Sequence, residues 1–69
     1  METFVKTSIE DGIGQVVLNR PDKRNALTRD MIQQLQAGFD TLAQNDSLRL
    51  IVLKAEGSVF CAGMDLNAF

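Results

Sequence analysis

The stretch Gly57-Ser58-Val59-Phe60-Cys61-Ala62-Gly63-Met64-Asp65-Leu66 decides the fold. A run of strand formers, Leu50-Ile51-Val52-Leu53, leads into it, and Gly57 breaks the run. The apolar pair Val59-Phe60 then meets small residues, Gly63 and the polar Asp65. A strand followed by a small-residue turn and an Asp predicts a tight loop that opens into a helix. Such a loop leaves backbone N–H groups unpaired and aimed into one space, which suits it to receive a developing negative charge.

Working back toward the amino terminus, Leu48 to Ala55 predicts a third strand and Met31 onward a helix. Met31, Leu35, Phe39 and Leu42 fall on one helical face, with Gln33, Gln36, Asp40 and Gln44 mostly away from it. Thr28 is the expected N-cap and Asp30 lies in the first turn, where the helix dipole favours an anion. Gly38 weakens the middle of the helix by about 1 kcal/mol relative to Ala, and close packing on a neighbour explains such a residue. Asn45-Asp46-Ser47 marks the stop. Strand, helix, strand at this spacing predicts a crossover onto a parallel neighbour.

Before the helix, Thr3 to Ile9 predicts a first strand with Val5, Thr7 and Ile9 on one face. Asp11-Gly12 predicts a hairpin turn, because Gly accepts positive φ. Gln15 to Asn19 predicts the second strand, whose apolar run Val16-Val17-Leu18 fits cover on both faces. Pro21 ends it, and Arg20 to Asn25 forms a loop.

Composition bounds the rest. The chain has 69 residues, 45% hydrophobic and 23% charged, with net charge −2. This is one domain at most, and a chain of this size buries only about 60% of its unfolded surface. The charge implies no general attraction to nucleic acid or to an anionic membrane. No segment has signal-peptide or membrane-span character. One cysteine, Cys61, leaves no internal disulfide and suits a reduced, cytoplasmic setting. There is no His, so no His-based triad, and no cluster of metal-ligand type. Without a His to activate it, Cys61 reads as a small buried hydrophobe and Phe60 as core.

Phe60-Cys61-Ala62-Gly63-Met64-Asp65-Leu66 resembles the signature loop of the enoyl-CoA hydratase/isomerase (crotonase) family. Asn19-Arg20-Pro21 followed by Arg24-Asn25-Ala26-Leu27 resembles an earlier signature of the same family. The resemblance covers essentially the whole chain but only the amino-terminal part of the family's domain. It implies an α/β fold in which residues 1–69 are a partial domain: hairpin, helix, strand and oxyanion-hole loop at the start of a crotonase-like ββα spiral.

The resemblance also implies chemistry. The residue matching Ala62 offers its backbone N–H to the thioester oxygen of an acyl-CoA, and a glycine later in the domain completes the oxyanion hole. Ala62-Gly63 has the small side chain and permissive turn that this requires. Arg24 and Ala26 fall where the family lines the CoA nucleotide site, within a loop that also carries Arg20 and Lys23. An Arg fork suits phosphate, whereas Lys23 reads as a solvated charge. Gly63, Met64, Asp65 and Leu66 belong to the same acyl-CoA site. Met64 and Leu66 either line the acyl or pantetheine channel or pack in the core, and Asp65 is expected to cap the following helix. Asn67 departs from a cation that many members carry nearby.

The implied activity is acyl-CoA binding with enolate stabilisation, as enoyl-CoA hydration or isomerisation in fatty acid metabolism. Thioester hydrolysis, dehalogenation and a non-catalytic truncated chain remain alternatives. CoA enters as part of the substrate, with no separate cofactor and no metal. Members commonly form trimers or hexamers. The acid–base glutamates of the hydratases come from later in the domain, so Glu2, Glu10 and Glu56 fall outside those motifs.

Overall fold

The computed structural model describes residues 3–65. Strand β1 (Val5–Glu10) turns through Asp11 and Gly12, both at positive φ, into β2 (Ile13–Leu18). The Asp-Gly pair supplies the left-handed backbone of such a hairpin. The strands pair antiparallel from Val5 opposite Leu18 to Glu10 opposite Ile13. A single 3-10 turn at Pro21–Lys23 follows, then helix α1 (Arg29–Ala43) and strand β3 (Leu50–Ala55). Strand β3 lies parallel to β2, with Ile13 opposite Leu50 and Leu18 opposite Ala55. The sheet order is β1-β2-β3, so α1 is the crossover between its two parallel strands.

Thr28 caps α1: its Oγ1 accepts from the Met31 N–H at 3.2 Å. The helix thus begins at Arg29, two residues before the apolar stripe. Met31 and Leu42 are buried, and Leu35 and Phe39 pack against the same core, with Val5, Val16 and Leu18 from the sheet. Each fully buried side chain of this type contributes about 1.5–3 kcal/mol. Gly38 is buried where the helix meets β1, and a Cβ there would come within 3.0 Å of Thr7 Cγ2. That close approach accounts for a glycine in mid-helix.

Helix α1 lies chiefly over β1 and β2. Ile51 and Ala55 of β3 reach the core, but Leu50 and Leu53 stay exposed. Ile9, read onto the same face of β1 as Val5, is exposed as well. The apolar run of β3 therefore predicts more cover than one helix supplies.

Candidate functional site

Two segments that follow the parallel strands, 20–28 after β2 and 56–65 after β3, run side by side. Asn25 joins them. Its side chain has no solvent exposure, and every polar atom of it is used. Oδ1 accepts the Arg20 N–H at 2.8 Å, while Nδ2 donates to the carbonyls of Glu56 and Val59, each at 2.8 Å. Its own N–H returns to the Arg20 carbonyl at 2.9 Å. One acceptor and two donors on one short side chain are what a carboxamide offers. Arg24 and Asn25 both adopt left-handed backbone, with φ of 54° and 56°, a region Asn tolerates better than most residues.

Beyond Asn25 the segments form a short parallel ladder. The Ala62 N–H donates to the Arg24 carbonyl at 3.0 Å, Leu27 N–H to Gly63 at 2.8 Å, and Asp65 N–H to Leu27 at 2.8 Å. Leu27 faces Met64 in a parallel bridge. Alternate residues of such a strand turn their polar groups toward the partner and away from it. Accounting for each backbone donor then separates two amides. The Ala62 N–H, expected to be the free donor, is already taken by Arg24. The Met64 N–H, which the bridge opposite Leu27 turns away from that partner, has no acceptor among the described residues. Gly63 between them sits at φ 103° with open space where a Cβ would stand. Backbone conformation, not crowding, therefore requires the glycine.

Arg20 closes the arrangement. Its Nη1 donates to the Ala26 carbonyl at 2.9 Å and to Asp65 Oδ2 at 3.0 Å, and its guanidinium lies 5.7 Å from the centre of the Phe4 ring. The two charged side chains are only 16% and 18% exposed.

Two open hollows of the surface lie elsewhere. One, of about 340 Å³, lies between the end of α1 and the start of β3; another, of about 370 Å³, is lined by Phe4, Thr28, Arg29 and Asp30. Among the described residues no group of three His, Cys, Asp or Glu could hold a metal ion, and no helix is long and apolar enough to cross a membrane.

Comparison with known proteins gives this geometry a context. The family model described as enoyl-CoA hydratase/isomerase matches residues 13–69. The chain belongs to the enoyl-CoA hydratase/isomerase family. Over 65 residues it is 42% identical to the hydroxycinnamoyl-CoA hydratase-lyase of Pseudomonas fluorescens, covering 94% of this chain and 24% of that protein. It is 34% identical over 67 residues to the 1,2-epoxyphenylacetyl-CoA isomerase of Escherichia coli, covering 97% of this chain and 26% of that protein. The solved structure of a probable enoyl-CoA hydratase from Mycobacterium thermoresistibile superposes with a TM-score of 0.93 at 32% identity, over 99% of this chain and 28% of that one. The chain thus spans about a quarter of the length of these relatives. Its α/β fold is the amino-terminal part of the crotonase fold.

Within this family member the expected site residues divide. Arg24, Ala26, Ala62, Gly63, Met64 and Asp65 come together where the two segments meet. Leu66 and Asn67 lie outside the described residues. The Ala62 amide is a ladder donor, as given above, so the aimed amide is the one two residues on. Asp65 spends its carboxylate on Arg20, and the helix it was expected to cap lies outside the described residues. Met64 is 49% exposed, so it is not core; Phe60, expected in the core, is 53% exposed. Cys61 is half-buried against the core. Lys23 and Arg24 are exposed, whereas Arg20, grouped with them in sequence, is engaged by Asp65 and Ala26.

Sequence reasoning missed the roles of Arg20 and Asn25. A signal for Asn25 existed. The stretch Pro21 to Thr28 contains no glycine, so a left-handed turn within it falls to Asn or Asp. Nothing in the sequence separated Arg20 from Lys23 and Arg24.

Proposed function

We propose that this chain supplies part of an acyl-CoA site that stabilises an enolate, in an enoyl-CoA hydratase or isomerase. The observation that carries the reading is the Met64 N–H, held on a parallel ladder with no acceptor among the described residues. A preorganised backbone donor of this kind stabilises charge that develops on a thioester oxygen, without reorganising during the reaction. Met64 therefore takes the role first read onto Ala62, and Ala62 becomes part of the frame that aims it. Gly63, Met64, Asp65 and Leu66 would lie along the acyl thioester. CoA enters as part of the substrate, and no separate cofactor is invoked. The relatives include both a hydroxycinnamoyl-CoA hydratase-lyase and a 1,2-epoxyphenylacetyl-CoA isomerase. Polarising the thioester carbonyl serves both reactions, so this half of the site supports the shared step rather than one outcome. The single Cys61 suits a reducing compartment, and the cytoplasm is the proposed setting.

The test is to titrate the isotope-labelled chain with butyryl-CoA and, in parallel, with free CoA while following backbone amides. The Met64 amide is expected to shift with the acyl ester and not with CoA, and the Ala62 amide to move much less. Equal responses to the two ligands, or none at Met64, would remove the assignment.

A second expectation concerns the cations. Arg24 is exposed on the loop whose carbonyl holds Ala62, and that exposure supports the reading of its guanidinium as a contact for a CoA phosphate. Arg24→Ala is expected to weaken CoA binding about 2- to 5-fold and to flatten its dependence on salt, because exposed ion pairs are weak and screened. Calorimetry that gives the same affinity and the same salt slope would return Arg24 to the role of a solvated charge.

A further inference from the structure

We infer that Arg20 and Asp65 are positioning residues whose ion pair latches the 62–65 loop and sets the direction of the Met64 N–H. The inference rests on the acyl-CoA reading for its functional consequence, but its structural content stands separately. Four of the bonds that hold the loop tie it to segment 20–27. Three are backbone bonds to segment 24–27: Ala62 N–H to Arg24, Leu27 N–H to Gly63, and Asp65 N–H to Leu27. The fourth is the Asp65 carboxylate on Arg20 Nη1 at 3.0 Å. It is the only one of the four that depends on side chains, and it falls on the residue directly after Met64.

Arg20 is itself fixed from several directions. Its N–H is held by Asn25 Oδ1, its Nη1 also reaches the Ala26 carbonyl, and its guanidinium faces the Phe4 ring. Phe4 in turn is tied to α1, because its N–H donates to Gln34 Oε1 at 2.7 Å. The latch thus connects the loop to the start of β1, to the helix and to the turn after β2. Both partners are largely shielded from solvent, so the pair is charge-assisted and escapes most of the screening that weakens surface pairs. A donor aimed at developing charge works only if it is held in place, and small displacements are costly in rate. The Asp65 carboxylate thereby acts through Met64 rather than on substrate.

The experiment uses the 69-residue chain with four substitutions: Arg20→Met, Arg20→Lys, Asp65→Asn and, as a control on an exposed cation of the same loop, Lys23→Met. Two readouts are taken, amide hydrogen exchange and affinity for butyryl-CoA against free CoA. Arg20→Met and Asp65→Asn are expected to speed exchange at Leu27 and Asp65 about 10- to 100-fold, the range set by loss of a charged hydrogen bond. Core amides such as those of Val16 and Met31 should keep their rates. The preference for butyryl-CoA over CoA should fall while affinity for CoA itself holds. Arg20→Lys, whose ammonium can donate to both acceptors, should restore much of each effect, and Lys23→Met should change neither. Unchanged exchange at Leu27 and Asp65 would overturn the latch. A uniform rise that includes the core would also overturn it, since the pair would then serve only global stability. If the parent chain shows no preference for the acyl ester, the acyl-CoA reading fails, and the exchange pattern alone upholds or overturns the latch.

Discussion

Asn25→Ala is expected to leave the chain mostly unfolded. The substitution strips partners from the Arg20 N–H and from the Glu56 and Val59 carbonyls at one stroke. Each unsatisfied group out of contact with water costs about 1–3 kcal/mol. Ala at φ 56° adds about 1–2 kcal/mol of backbone strain that Asn bears more easily. The total, about 4–11 kcal/mol, is comparable to the whole stability of a domain this small, which is roughly 3–10 kcal/mol at typical per-residue values. Two further variants separate the causes. Asn25→Gly relieves the backbone but keeps the loss of partners, so it should recover only the strain. Asn25→Asp keeps the acceptor for Arg20 but turns an oxygen toward two carbonyls, and should be as damaging as Ala. Urea melts decide the matter. A midpoint for Asn25→Ala close to the parent's, or full recovery in Asn25→Gly, would show that the Asn25 side chain does not join the two segments.

The contrast between Asn25 and the rest of the chain shows what a sequence discloses. Helix α1 was legible because its signals are local: a Thr cap, an early acid and a stripe repeating at helical spacing. The hairpin was legible because Asp-Gly specifies its own backbone. The parallel pairing of β2 with β3 followed from spacing between elements, and the loop after β3 from two motifs of the family. Asn25 takes its meaning from carbonyls more than thirty residues away, and no local pattern encodes them. The same distance in sequence hid the choice between Ala62 and Met64. Both are followed or preceded by Gly63, and only the ladder to segment 24–27 shows which amide is spent. Phe60 failed for another reason. Hydrophobicity states a preference for burial, and burial also needs a covering element, which the described residues do not place over it.

That uncovered surface leads to the last expectation: the isolated 69-residue polypeptide will associate, and it will not turn over an enoyl-CoA. Strand β3 is an edge of the sheet with no partner on its outer side among the described residues, and Lys54 is its only charge. Leu50 and Leu53 are exposed along it, as are Phe60 and Met64 beyond it. Unpaired strand edges with exposed apolar side chains recruit other chains. A charge on the edge should blunt this, so Leu53→Lys is expected to shift the sedimentation profile toward monomer without disturbing the core, which Leu53 does not join. Catalysis fails for a separate reason. Hydration or isomerisation needs a group that delivers and removes protons, typically worth about 10²–10⁴-fold in rate. The chain has no His. Among the described residues, Asp65 is paired with Arg20, and Glu56 meets Asn25 through its carbonyl. Sedimentation across a concentration series, with a parallel assay on a short enoyl-CoA, tests both halves. A cooperative monomer that hydrates the substrate would overturn both, because proton transfer would then have to come from side chains that the structure commits to packing and to the latch.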